Sequence, residues 1–294
     1  MCFLCDLYTQ HTLPEMAVNQ EVAHWHPRRA FLLTAGSTLA GSALAQVDVG
    51  GASSIRTLIP AEQMESTAKQ QYVQVLSEAK SKNALAPNDH PQLLRLHAIA
   101  RRLIPFTPQW NSRVSGWRWE VNLIGSKQIN AWCMPGGKIA FYIGILDQLQ
   151  LTDAEVAMVM GHEMAHALRE HAREQASKNM ATQGLSRLGG VAAASFFGID
   201  PRVTDLFARV GANLFSLKFS RDDETEADLV GLEIAARAGY RPEASVQLWK
   251  KMLANNTNGG VSWLSTHPTG NNRIQKLEAN LPKVQHLYEE AKRG

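Results

Sequence analysis

The feature that most restricts this chain is the stretch VMGHEMAHALREHA at 159–172, where two histidines four residues apart enclose a glutamate. An H-E-x-x-H pattern is expected by chance roughly 0.02 times in a chain of this composition, so one occurrence is informative but needs supporting context. The context favours a helix. Thr152 and Glu155 have the spacing of a capping box, and no proline interrupts the run to Lys178, which predicts one helix over 153–178. Residues four apart on a helix share a face, so His162 and His166 can reach one ion. Glu163 lies about 100° round the axis, placed to touch a water on that ion rather than to replace a histidine. The bland alternative is a pair of hydrogen-bonded core histidines on a helix buried through Val156, Val159, Met160, Ala165 and Ala167. His171, nine residues from His162, is expected on the opposite face and is assigned no role.

A third ligand must come from elsewhere. FSRDDETEADLVGLEIAARAGY, 219–240, reads as a helix from about Asp222, closed by Gly239. Glu224 and Asp228 share one face and Glu226 points away. This spacing suits Glu224 as a metal ligand and Asp228 as acceptor from the far nitrogen of a ligand histidine, fixing its tautomer. The competing reading is an acidic solvated face.

Around these helices the chain organises as an α+β domain. AEQMESTAKQQYVQVLSEAKSKN is helical, with Met64, Ala68, Tyr72, Val75, Leu76 and Ala79 near one face; HPQLLRLHAIARRLI is a second helix, halted at Pro105. GWRWEVNLI alternates in the manner of a half-buried strand, QINAWCM is a second, and KIAFYIGIL, after a turn at Pro135, Gly136 and Gly137, a third. The expected sheet is small and antiparallel, with GGKIAFYIGI as an edge strand beside the metal-binding helix, where it could pair with an extended substrate. The rest is mainly helical.

At 45% hydrophobic residues the 294-residue chain can bury a sizeable core. A net charge of +3, evenly spread, does not argue for nucleic acid. No apolar run reaches the ~18 residues of a membrane span. HPRRAFLLTAGSTLAGSALAQ sets Arg28 and Arg29 before an apolar run and a small-x-small site at Ala43–Ala45, similar to a twin-arginine export signal. Residues 1–45 are therefore expected to be a leader and signal peptide, 46–60 a flexible linker, and 61–294 the functional domain. Met16 is a candidate start. After cleavage only Cys133 remains, so no internal disulfide is expected. The glycines and alanines of 181–203 would suit a mobile cover or a membrane-surface contact.

Five stretches carry a resemblance: NAWCMPGGKIAFYIGIL, GHEMAHALREH, FSRDDETEADLVG, AGY followed by Pro242, and STHPTGNNRI. In this order, over about 111–281, the chain resembles the zinc metalloendopeptidases that include the CAAX prenyl proteases and the HtpX-type heat-shock proteases (peptidase family M forty-eight), with a gluzincin-like fold. The resemblance implies one zinc per chain on His162, His166 and Glu224, with Glu163 as base, Asp228 orienting a ligand, and Asn130 and His267 at the catalytic cleft. The missing membrane helices argue against prenylated substrates and for the soluble periplasmic members, which act in envelope protein quality control. The partners implied are protein or peptide substrates; peripheral contact with membrane or outer-membrane proteins stays open. For His267, fixed in an extended backbone by Pro268, two roles are open: donor to a developing oxyanion, or fourth zinc ligand that keeps the site latent. A zinc-binding chaperone or assembly factor on the same fold is the alternative function, although such a binder would not need Glu163.

Overall fold

A computed structural model describes residues 47–188, 214, 217–256, 261–268 and 272–293. The expected leader and signal peptide, 1–45, and most of 181–203 lie outside the described residues. Those described belong to one compact unit, Ser42–Gly294. In chain order they form α1 (Ala61–Ser81), α2 (Pro91–Leu103), β1 (Glu120–Ile124), β2 (Ala131–Met134), β3 (Lys138–Tyr142), α3 (Ile143–Leu149), α4 (Asp153–Leu168), α5 (His171–Leu188), α6 (Arg221–Arg237), α7 (Ala244–Asn255) and α8 (Arg273–Arg293). No described helix is long and apolar enough to cross a membrane.

The α+β class holds, but the sheet differs from the expected antiparallel one. Its order is β1-β3-β2: β3 is central, parallel to β1 and antiparallel to β2. The edge strand beside the metal-binding helix is therefore β2, not the GGKIAFYIGI strand. Spatial order departs from chain order because the 125–130 connection carries β2 past the place where β3 returns. That return is a tight turn in which Gly136 and Gly137 both take positive φ, 84° and 76°. The third strand also ends early: Ile143 starts a helix, and Gly144 packs so close to the Lys127 and Gln128 carbonyls that a side chain would collide with backbone. Alternation along the strands feeds two cores. Ala131, Cys133, Ile139 and Phe141 face the larger one, with α2, α4, α6 and α7; Trp132, Met134 and Ala140 face the smaller, with α1 and α5.

The single helix expected over 153–178 is two helices. Thr152 caps α4 with the reciprocal box to Glu155, and α4 ends at Leu168. Glu170 then takes φ 61°, a left-handed conformation costly for a residue with a Cβ. Tertiary partners hold it there. The Glu170 carboxylate receives Arg56 (2.9 Å) and Arg173 (2.8 Å), and Asn111 Nδ2 donates to the freed Leu168 carbonyl at 2.9 Å. Residues 47–60, expected as a flexible linker, form part of this support. Val47 and Ile59 are buried, Val47 N donates to Glu233 Oε2 at 3.0 Å, and Arg173 Nε donates to the Ile59 carbonyl at 2.6 Å.

Helices α4 and α6 cross at two glycines. A Cβ on Gly231 would lie 2.6 Å from His162 N, and one on Gly161 2.9 Å from the Gly231 carbonyl oxygen. Only glycine permits this approach, which brings the functional faces of the two helices together. Gly231→Ala should therefore destabilise the protein by about 1–3 kcal/mol through overpacking. Denaturant unfolding reads this directly, and an unchanged midpoint would show that the crossing has slack.

Candidate metal centre

Helix α6 opens with a second capping box, Ser220 with Asp223, which sets Glu224 and Asp228 on the face turned to α4. There one donor atom each from His162, His166, Glu224 and His267 all lie within 4.8 Å of one another, and all four residues are buried. His162 Nε2 is 3.0 Å from His166 Nε2 and 3.6 Å from Glu224 Oε2, and His166 Nε2 is 3.4 Å from Glu224 Oε1. A tetrahedron's edge is about 1.63 times its bond, so metal–nitrogen bonds of about 2.0–2.1 Å give edges of about 3.3–3.4 Å. The separations bracket that value.

Hydrogen bonding supports the same reading. His162 Nδ1 lies 3.0 Å from Asp228 Oδ1; a carboxylate only accepts, so Nδ1 carries the proton and Nε2 presents a lone pair. Asp228 also accepts from Arg273, Nη2 to Oδ1 at 2.6 Å and Nε to Oδ2 at 2.7 Å. Arg273 Nη1 reaches Glu224 Oε2 at 2.5 Å, and its guanidinium lies 3.7 Å above the Trp249 ring. Burial alone would raise the Asp228 carboxyl, but Arg273 and His162 bring it down to about 2. Glu224 likewise sits below the usual range: burial opposes this, and His267, His162 and Arg273 outweigh it. Burial, and then the surrounding imidazoles and Arg273, hold His166 well below an ordinary imidazole, which favours the neutral form that a ligand must take.

Glu163 is poised differently. Burial pushes its carboxyl upward against the pull of His267, His162 and a 2.5 Å hydrogen bond from Trp263 Nε1. It borders a cleft of about 340 Å³ that runs along β2 past His166 and His267. The His267 ring is in this cleft, stacked on Trp263, with Nδ1 2.9 Å from Glu224 Oε1 and 3.3 Å from His162 Nε2, and Nε2 3.5 Å from Glu163 Oε1. Burial disfavours a charge on it, but Glu163 and Glu224 outweigh burial and raise its pKa. Asn130 is placed apart from the donor set: it lines the cleft at the start of β2, with Oδ1 accepting from Ala131 N at 3.0 Å.

Three contacting residues had no role in the sequence reading. Trp263 and Arg273 have no local pattern that marks them. His171 was expected on the opposite face, but the break at Glu170 swings it back until its Nδ1 is 2.9 Å from His166 Nδ1. Glu226 turns away from the donors, as its spacing predicted, toward Arg169 and His171.

A capped helix pair offering two imidazoles and a carboxylate, beside a buried glutamate, is the arrangement of a metallopeptidase. The chain belongs to Peptidase family M48, matched over residues 92–281. It is similar to the mitochondrial metalloendopeptidase OMA1 of Schizosaccharomyces pombe, 33% identical over 74% of this chain and 61% of that protein. It is also similar to OMA1 of Saccharomyces cerevisiae, 30% identical over 72% and 62%, and to the metalloprotease LoiP of Escherichia coli, 27% identical over 69% and 76%. The match thus spans about three fifths of the two yeast relatives' length.

Glu224→Ala removes one donor of this candidate set and leaves Arg273 facing one carboxylate fewer. Metal content after dialysis should fall close to zero, and a variant retaining one ion per chain would exclude Glu224 as a ligand.

Proposed function

We propose that this chain is a zinc-dependent endopeptidase acting on extended or misfolded proteins. The observation that carries the reading is Glu163: a buried carboxylate with a raised pKa, lying between a three-donor metal set and an open cleft. The N/N/O donor set suits zinc, and three protein ligands are the number found in catalytic zinc sites. When bound, zinc supplies a Lewis acid that polarises the scissile carbonyl and makes a water acidic near neutral pH. With a metal held by His162, His166 and Glu224, Glu163 would serve as the base that accepts a proton from the attacking water and the acid that returns it to the leaving amine; its raised pKa narrows the gap between the two transfers. Asp228 and Arg273 hold His162 and Glu224 in place. β2, the sheet edge that lines the cleft, can pair with substrate backbone whatever its sequence. Trp132, Met134 and Phe219, also in the cleft wall, can accept apolar side chains.

Two alternative roles are open to His267. Lying among the donors, it can complete a four-ligand set and hold the protein latent; swung outward, it can stabilise a developing oxyanion. The four-donor arrangement also favours the alternative of a metal-binding chaperone or assembly factor with little proteolysis, since closed sites are typically structural. Casein digestion separates these readings. Wild-type protein should digest casein and stop with a chelator. Glu163→Gln should retain zinc and lose about 10²–10⁴-fold in rate. His267→Ala should run faster if the ring gates the site, slower if it serves the oxyanion. A zinc-loaded wild type with no hydrolysis of unfolded casein would leave the binding protein as the better account.

The proposed setting is the bacterial envelope, in protein quality control, after twin-arginine export directed by Arg28 and Arg29. Support comes from the signal-like pattern; of the relatives, LoiP is bacterial, whereas the OMA1 proteins are mitochondrial. Changing both arginines to lysine should trap the precursor in the cytoplasm. Undiminished processed protein in the periplasmic fraction would rule out that route.

A further inference from the structure

His166 is oriented by a device unlike the one that holds His162. His171 is buried; its Nδ1 lies 2.9 Å from His166 Nδ1, and its Nε2 lies 2.7 Å from Glu226 Oε2. The two rings meet edge to face, 75° apart. On the far side Glu226 accepts from Arg169 Nε at 2.5 Å, and Arg169 Nη2 donates to the Gly50 carbonyl at 2.8 Å.

For two neutral imidazoles, the form in which a histidine binds a metal, donor and acceptor accounting leaves one consistent arrangement. Glu226 only accepts, so the proton of neutral His171 is on Nε2 and its Nδ1 is bare. A bare His171 Nδ1 at 2.9 Å requires a donor, so His166 carries its proton on Nδ1 and turns the lone pair of Nε2 toward His162 and Glu224. The reverse arrangement would leave Glu226 facing a bare nitrogen and put a proton on His166 Nε2, where a metal must bind. We propose that His171 and Glu226, anchored by Arg169, are positioning residues that fix the tautomer and aim of His166 for metal binding. Both ligand histidines then answer to a carboxylate–arginine pair: His162 directly to Asp228 and Arg273, His166 through an imidazole to Glu226 and Arg169. Helix α6 supplies both carboxylates, two and four residues after Glu224.

This inference rests on the metal-centre reading, and zinc affinity tests it without recourse to hydrolysis. Zinc is titrated into metal-free protein against a chromogenic chelator, with circular dichroism of the metal-free forms as the check on folding. His171→Ala should weaken zinc by about 10–100-fold, the usual cost of losing a partner of a ligand histidine. His171→Gln carries an acceptor and a donor on one amide and should recover most of that loss, to within about 5-fold of wild type. Glu226→Ala, at a less buried position, should fold and move affinity in the same direction as His171→Ala, which keeps the test open if that variant misfolds. Wild-type affinity in either alanine variant would overturn the relay, and so would a His171→Gln protein as weak as His171→Ala, because volume rather than hydrogen bonding would then be holding His166. A wild-type chain that binds no zinc would instead overturn the metal centre itself.

Discussion

Everything at the centre depends on one buried cation. Glu224 and Asp228 project from the same face of α6 into a site closed to solvent, and two such carboxylates repel each other strongly in a medium of low effective dielectric. Arg273 resolves this by bonding both, bidentate to Asp228 and single to Glu224, while its face rests on Trp249. Removing one partner from such a buried network typically costs about 3–5 kcal/mol, because the remaining charges lose their compensation. The guanidinium also ties α8 to α6, so the last helix contributes to the geometry of a site whose metal donors mostly lie far earlier in the chain.

Against that background two carboxyls that both neighbour His162 are driven in opposite directions. Asp228, with Arg273 and His162 beside it, is driven to about 2 and stays ionised as a fixed acceptor. Glu163 has an indole N–H and imidazoles rather than a guanidinium, so burial prevails and its carboxyl rises. One is built to hold a proton acceptor constant, the other to let a proton come and go. The difference comes from neighbours contributed by 263–273 and not from the glutamate and aspartate themselves.

Much of the site was legible because it is written in helical period. The capping box of α4, the four-residue spacing of His162 and His166, and that of Glu224 and Asp228 are local, and the structure places all four side chains together. Readings that depended on tertiary partners failed. No glycine or proline announces the break after Leu168; it exists because Arg56, Arg173 and Asn111, all distant or across the break, satisfy the groups it exposes. His171 was misplaced for that reason alone. The order of the strands was missed similarly: each strand was recognised, but nothing local says that β3 enters between β1 and β2. Arg273 carries no periodic signal at all, being one arginine among many until the acids it joins are seen.

The position of β2 has a further consequence, for solubility. A sheet edge offers unpaired backbone groups to any passing strand, and two copies of one protein meeting edge to edge is a familiar start of aggregation. Here the edge is only four residues long, Ala131–Met134, and none of them is more than 9% exposed. It sits at the bottom of a recess, beside α4. A single flexible chain can thread into that recess, whereas a folded neighbour, whose own edge is carried on a bulky body, cannot bring it close enough to pair. The same depth that shapes the cleft thus shields this one edge from the edge of a folded neighbour.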